Sequence, residues 1–158
     1  MAERAGVDRL TVDRHFPDGR SLFEACSRHW REMHPPPDLS EWAAIEAPAA
    51  RVTRALSDLY AWYRETHPML ENVIRDRPFV PALEGPAAER TAYVDAAFRA
   101  LVRGWTTSRI RRATLAAAVA HPIDPTTWRS LTRNGVSDTD AVALMATFVR
   151  GVAERPPA

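Results

Sequence analysis

The chain has 158 residues, which is enough for one well-packed domain, or for a small appendage and one domain. With 46% hydrophobic and 26% charged residues, it has the composition of a soluble globular protein. The sequence contains no apolar run of membrane-spanning length and no signal-peptide pattern, so we expect a cytoplasmic protein that does not contact membranes. A net charge of +1 gives no general attraction to nucleic acid, and the single cysteine excludes an internal disulfide.

The first 23 residues carry the most informative pattern of the sequence. Ala2 and Gly6 lie four residues apart at the junction of two short predicted helices, and Val12 follows in the second helix. A small residue lets the helices approach closely, and glycine supplies the positive φ that the turn needs. Two helices that cross over such a turn form a helix-turn-helix, whose second helix enters the major groove of DNA. After it, Asp18 is placed to cap a third helix.

These residues resemble the DNA-binding end of the TetR/AcrR family of bacterial transcriptional regulators. The shared pattern runs over residues 2–23: an Ala-Gly-Val turn, a recognition helix with Thr11-Val12 and Phe16, and a capped helix that opens with Leu22-Phe23. The resemblance implies a repressor that is released from its operator when a small apolar molecule binds. It also implies that the front of the recognition helix reads base edges and that nearby basic side chains contact phosphate or position the helix. The implied base-reading residues are Arg9 and Thr11, and the implied phosphate-contacting residues are Arg14, His15 and Arg20.

The same segment departs from the family pattern in several places. The pattern has a first helix, and the start of the second, before the residue that is Met1 here, so we expect an incomplete helix-turn-helix. Asp13 stands where the family has an aromatic residue on a phosphate, and Gly19 stands where it usually has lysine. Residues 1–34 carry six arginines and six carboxylates, without the clustered positive charge of a typical DNA-binding face. The alternative function is therefore a helical dimer that binds a ligand or a partner subunit but not DNA.

Helix signals dominate the sequence and strand signals are nearly absent, so we predict an all-α fold. A partial helix-turn-helix and its connecting helix occupy residues 1–34, and an antiparallel helical-bundle regulatory domain for ligand binding and dimerisation occupies residues 35–158. The boundary is the run His34-Pro35-Pro36-Pro37, because proline cannot continue a helix. Within the connecting helix, Cys26 shares the apolar face and is predicted to be buried, and a redox-sensing thiol is the alternative.

Prolines, glycines and capping residues set the predicted ends of the remaining helices. The last of them has a capping box, because Ser137 precedes Asp140 by three residues. The predicted elements are a short turn at 39–45, a long helix from Pro48 to His67-Pro68, a shorter helix over 69–74, a helix opened by Pro86 that reaches Trp105, a helix over 108–120, a helix from Asp124-Pro125 to Asn134-Gly135, and the capped final helix.

Three consecutive predicted helices carry aromatic residues with polar tips and one histidine. This combination suits an apolar small molecule that is held by a few hydrogen bonds. In the proteins that the chain resembles, the corresponding helices surround the inducer cavity. Residues at this spacing also form plain hydrophobic cores, and that alternative stays open for each of them. The predicted ligand-binding residues are Trp62, Tyr63, His67, Met69, Phe98 and Trp105.

The resemblance also implies a homodimer through the last two long helices, each pairing with its copy across a two-fold axis. Small residues on these helices permit close helix approach. The alternative is that the two helices close the core of one chain. The small residues in question are Ala117, Ala118, Ala141 and Ala146.

The sequence shows no pattern typical of an enzyme. His29 and His34 lie five residues apart at a helix end, and no cluster has zinc-site spacing. A Gly-rich phosphate loop and a Gly-x-Ser-x-Gly motif are both missing. We therefore expect no catalytic residues, no metal and no cofactor.

Overall fold

The structure is a computed structural model that describes residues 19–106 and 111–154. Within these ranges the chain forms seven α-helices and no β-strand, which confirms the predicted all-α class. None of the helices in this part of the chain is long and apolar enough to cross a lipid bilayer. The helices are α1 (Gly19–Met33), α2 (Leu39–Ala43), α3 (Pro48–Asp76), α4 (Glu84–Val102), α5 (Arg112–Ala120), α6 (Pro125–Arg133) and α7 (Asp138–Glu154), with a 3₁₀ turn at Pro81–Leu83 before α4.

Helix α3 forms the centre of the fold, because α2, α4, α6 and α7 all pack against it. Its most extensive contact is with α7. The inward face of α3 repeats at helical spacing and is buried along its length, at Val52, Leu56, Leu59, Tyr63 and Leu70. Buried residues from the other elements complete this core: Trp42, Ala97, Leu101, Leu115, Val119, Ile123, Trp128, Ala141 and Val149.

The predicted helix end at His67-Pro68 is wrong, because α3 continues through Pro68 to Asp76. A proline inside a helix removes a backbone donor and crowds the preceding turn, at a cost of about 3 kcal/mol. Here the buried face spans the proline, with Thr66 fully buried before it and Leu70 buried after it. Packing on both sides outweighs the local cost. The separate helix predicted over 69–74 is therefore part of α3.

Local capping explains the helix ends that the sequence predicts correctly. The Asp124 carboxylate accepts the Thr126 N–H at 2.7 Å and starts α6. Gly135 has φ +80°, the left-handed conformation predicted for the end of that helix. Ser137 Oγ accepts the Asp140 N–H at 3.1 Å and donates to its carboxylate at 2.7 Å, which confirms the capping interaction at α7.

Two other details of the prediction are wrong. Helix α4 begins at Glu84 and ends at Val102, so Trp105 lies beyond its end. Cys26 is exposed instead of buried, and Met33 from the same predicted face is 64% exposed. Helix α1 contacts the body at the 3₁₀ turn and through an ion pair between Arg31 and Glu89 on α4. Among the described residues, these contacts leave Cys26 and Met33 exposed.

Arg51 joins two helix ends inside the core and is 3% exposed. Its Nε donates to the Ile45 carbonyl at 2.9 Å, and Nη2 donates to that of Glu46 at 3.0 Å. Its Nη1 donates to the carbonyls of Ala100 at 3.0 Å and Arg103 at 2.7 Å. These carbonyls lie at or just past the carboxyl ends of α2 and α4, where helix acceptors lack intrahelical partners and favour a cation. Burial lowers the pKa of Arg51, helped by the charge of Arg103, yet arginine remains protonated in proteins.

We expect Arg51→Met to lower the free energy of unfolding by about 2–4 kcal/mol, because buried acceptors left without a donor cost about 1–3 kcal/mol each and do not add up fully. Arg51→Lys should also destabilise, since an ammonium group lacks the planar fork that reaches both helix ends. Urea unfolding followed by circular dichroism measures both changes.

The matched control is Arg54→Gln, one turn further along α3, where the guanidinium binds Asp58 and Glu41 on the surface. Its unfolding midpoint should stay close to that of the parent chain. Equal midpoints for the Arg51 and Arg54 variants would contradict the role assigned to Arg51.

Candidate functional site

A cavity of about 380 Å³ lies between the second half of α3 and the start of α6. This volume is within the usual range of small-molecule sites. The wall from α3 is one continuous helical face, since its residues are spaced by three or four. The lining residues are Tyr63, His67, Leu70, Glu71, Ile74 and Arg75 from α3, and Pro125, Thr126, Trp128 and Arg129 from α6.

The cavity brings together two of the six predicted ligand-binding residues, Tyr63 and His67. Tyr63 is buried, and His67 is partly buried. Met69 is 38% exposed and is not a lining residue.

The other three predicted residues pack against the core, as in the alternative interpretation. Trp62 is half-buried, and its indole N–H donates to the His34 carbonyl at 3.2 Å. The indole of Trp105 donates to the Leu101 carbonyl at 2.9 Å. Phe98 is half-buried on α4.

The four lining residues of α3 that follow Pro68 were missed because the sequence predicts a helix end there. In a continuous helix, Leu70, Glu71 and Ile74 follow His67 at intervals of three, four and seven residues on the same face. This spacing is visible in the sequence. The spacing is not used in the prediction because the proline at position 68 is expected to end the helix.

The polar side of the cavity is organised by Glu71. One of its oxygens pairs with Arg129 Nη2 at 2.7 Å, and the other lies 3.6 Å from His67 Nε2. The His67 ring meets the Trp128 ring edge-on, with centroids 5.6 Å apart. Arg75 is bound instead to Asp76, at 2.7 and 3.0 Å, and these bonds raise its pKa.

The apolar side is held by buried hydroxyl groups. Tyr63 donates to the Ile123 carbonyl at 2.6 Å, and Tyr60 donates to the Pro122 carbonyl at 3.1 Å. Both carbonyls belong to the corner between α5 and α6, where the prolines prevent helical hydrogen bonding. The cavity wall at Tyr63 is therefore fixed to this corner.

Trp128 connects the cavity to the start of α7. Its indole N–H donates to one oxygen of Asp138 at 2.9 Å, and Arg64 donates to the other at 2.6 Å. The bond from Arg64, assisted by that from Trp128, lowers the pKa of Asp138. Three helices thus meet at this carboxylate.

Of the predicted DNA-contacting residues, Arg20 lies in the first turn of α1. It is exposed and bonded to Glu24 at 2.9 Å. The remaining four, Arg9, Thr11, Arg14 and His15, lie outside the described residues.

Comparisons with protein-family models, with curated proteins and with solved structures find no match. In residues 19–106 and 111–154, no group of three or more His, Cys, Asp or Glu side chains is arranged to hold a metal ion. What the cavity offers a ligand is an aromatic and aliphatic surface with an ion pair at its edge.

Burial raises the pKa of all three tyrosines of the chain, Tyr60, Tyr63 and Tyr93, above the ordinary value of 10.0. A raised pKa in the folded state stabilises the fold fully below pH 10.0, and this contribution is lost as the pH rises toward the folded values. We therefore expect tyrosinate absorbance to appear together with the loss of helical circular dichroism. The measurement is an alkaline titration that records both signals.

The control for this titration is the chain unfolded in guanidinium, in which all three tyrosines should ionise near their ordinary pKa of 10.0. Full tyrosinate formation near that pH in a chain that keeps its helical signal would contradict the buried hydroxyl network.

Proposed function

We propose that the chain is a DNA-binding transcriptional regulator of the TetR/AcrR type, a repressor that leaves its operator when a small apolar molecule binds. The observation that carries the proposal is the helix-turn-helix pattern of residues 2–23, which continues into α1 and an all-helical body with a cavity. The proposal includes neither a catalytic activity nor a cofactor.

The contacts between the cavity and α1 support this proposal. Tyr63 lines the cavity, and its neighbour Trp62 donates to the carbonyl of His34, the residue directly after α1. The rings of Trp62 and Tyr63 lie 5.6 Å apart, and the His34 ring stacks on Trp30 of α1 at 4.6 Å. Tyr63 thus connects the cavity, through Trp62, with the point where α1 is attached, and a ligand that shifts this part of α3 would act on that point.

We also infer a homodimer through one surface of α5 and α7, here called the α5–α7 face. It consists of Ala117, His121, Leu144 and Phe148, all of them exposed. Leu144 is 50% exposed and Phe148 is 43% exposed, and the Phe148 ring meets His121 at 6.2 Å. Exposed large apolar side chains beside a small residue suit a self-complementary contact across a two-fold axis.

Two of the small residues predicted to serve the dimer lie inside the single chain. Ala118 and Ala141 are buried, and α5 packs against α7 within the chain. These small residues therefore allow α5 and α7 to pack closely within one chain. The exposed side of the same two helices supplies the α5–α7 face.

We expect the double variant Leu144→Glu/Phe148→Glu to shift the chain from dimer to monomer, with at least about a tenfold weaker dimer, because two charges would have to be buried at the interface. Sedimentation velocity over a range of concentrations measures the shift. Met69→Glu, which changes another exposed apolar residue of α3, is the control and should remain dimeric. A parent chain that is monomeric throughout would contradict the inferred dimer.

The second candidate is a helical dimer that binds a ligand or partner subunit but not DNA. The equal number of basic and acidic residues in 1–34 favours it, as does Asp13, whose carboxylate would repel a phosphate. The two candidates differ in one measurable property, which is binding to operator DNA.

We expect the full chain to bind DNA from beside its own gene in a salt-sensitive manner that resists scrambled competitor. Arg9→Ala should weaken specific binding roughly tenfold to a hundredfold, since a base contact is worth about 1–3 kcal/mol. Arg14→Ala should weaken binding to all sequences and lower the salt slope by about one. Fluorescence anisotropy measures both effects.

Arg99→Ala removes the same charge from an exposed site on α4 and is the matched control. Unchanged operator binding by Arg9→Ala would show the assignment of base-reading residues to be wrong. A helical, dimeric chain without any specific binding would favour the second candidate.

A further inference from the structure

The cavity holds one partly buried cation, Arg129 of α6, whose side chain is 22% exposed. Its guanidinium pairs with Glu71, another lining residue, at 2.7 Å. Among the described residues, no other carboxylate lies within 4.0 Å of this guanidinium. The partner of Arg129 thus comes from α3, the opposite wall.

Glu71 can leave this pair at little cost when another carboxylate takes its place on Arg129. Its side chain is 45% exposed, and its second oxygen lies 3.6 Å from His67 Nε2. Ion pairs with a half-exposed partner contribute little, because water solvates the separated carboxylate. Arg129 is more enclosed and regains less water when it is left alone.

The cavity lining beside Arg129 is largely apolar. Trp128, Leu70 and Ile74 line it, and the Trp128 ring is fixed by its hydrogen bond to Asp138. An aromatic ring placed there covers apolar area, most of it from Ile74, which is 50% exposed. A guanidinium at the edge binds a planar carboxylate through two parallel hydrogen bonds.

We propose that the ligand of this cavity is an aromatic carboxylate, whose ring lies in the apolar lining formed by Ile74, Leu70 and Trp128 and whose carboxylate replaces Glu71 on Arg129. The displaced Glu71 turns to His67 and to water. Glu71 and the carboxylate of the ligand therefore compete for the same guanidinium, that of Arg129. This inference rests on the effector-binding role proposed for the cavity and specifies its ligand class.

The test uses naphthoate and its neutral carboxamide, naphthamide, titrated into the full chain by isothermal titration calorimetry. We expect naphthoate to bind at least about tenfold more tightly than naphthamide, which is the effect of about 1.4 kcal/mol. Glu71→Gln removes the competing charge and should tighten naphthoate binding about threefold to tenfold, with naphthamide unchanged.

Arg129→Gln should weaken naphthoate at least about tenfold and leave naphthamide within about twofold. Arg129→Lys keeps the charge but loses the paired hydrogen bonds, so it should bind naphthoate with intermediate affinity. The matched control is Arg133→Gln, which removes an exposed cation one turn further along α6, outside the cavity lining. It should bind both probes like the parent chain.

Equal affinity for the two probes would overturn the carboxylate assignment while keeping the cavity as a binding site. An unchanged naphthoate affinity in Glu71→Gln would overturn the displacement of Glu71. Failure of both probes to bind would overturn the inference and remove the cavity from the proposed function. DNA binding by the same variants is measured separately by anisotropy, so a chain that binds naphthoate but no DNA supports this inference and contradicts only the repressor.

Discussion

The continuity of α3 through Pro68 is the constraint on which the rest of the structure depends. A helix of 29 residues is roughly 40 Å long, so one element carries both the core and the site. Its first half buries the face against which α2, α4 and α7 pack, and its second half forms one wall of the cavity. If α3 ended at the proline, Leu70, Glu71 and Ile74 would not face α6, and the cavity would lose this wall. Burial of Thr66 and Leu70 on the two sides of Pro68 is what keeps the helix whole.

The two sides of the cavity differ in how firmly they are held. Tyr63 is fixed by its bond to the Ile123 carbonyl, and Trp128 is fixed by its bond to Asp138. Both anchors are buried or partly buried, so these rings form a rigid surface. Glu71 and Arg129 are held mainly by each other, and Glu71 is half-exposed. The cavity therefore combines a firmly held apolar wall with one half-exposed ion pair, and the proposed binding of an aromatic carboxylate uses both.

Much of the fold could be predicted from local signals, whereas the site could not. The capping groups at Asp124 and Ser137 act within one turn of the chain, and the structure shows both as expected. The fate of Pro68 depends on packing against distant helices, which no local pattern reports. Exposure of Cys26 has the same origin, because apolar spacing along α1 does not say whether a partner helix covers it. The role of Arg51 was not predicted either, since its acceptors are carbonyls that carry no sequence signature.

The hydrogen bonds of Arg51 affect how the stability of the fold depends on pH. Among the described residues no carboxylate pairs with Arg51, and its partners are backbone carbonyls that do not titrate. Protonation by acid therefore cannot remove a hydrogen-bond acceptor from Arg51. The contact at the start of α7 is different, because the lowered pKa of Asp138 stabilises the fold above the ordinary value of 3.8, and this contribution is lost as the pH falls through the folded value. Acidification would thus weaken the contact that joins the cavity to α7, while the hydrogen bonds from Arg51 to the ends of α2 and α4 stay in place.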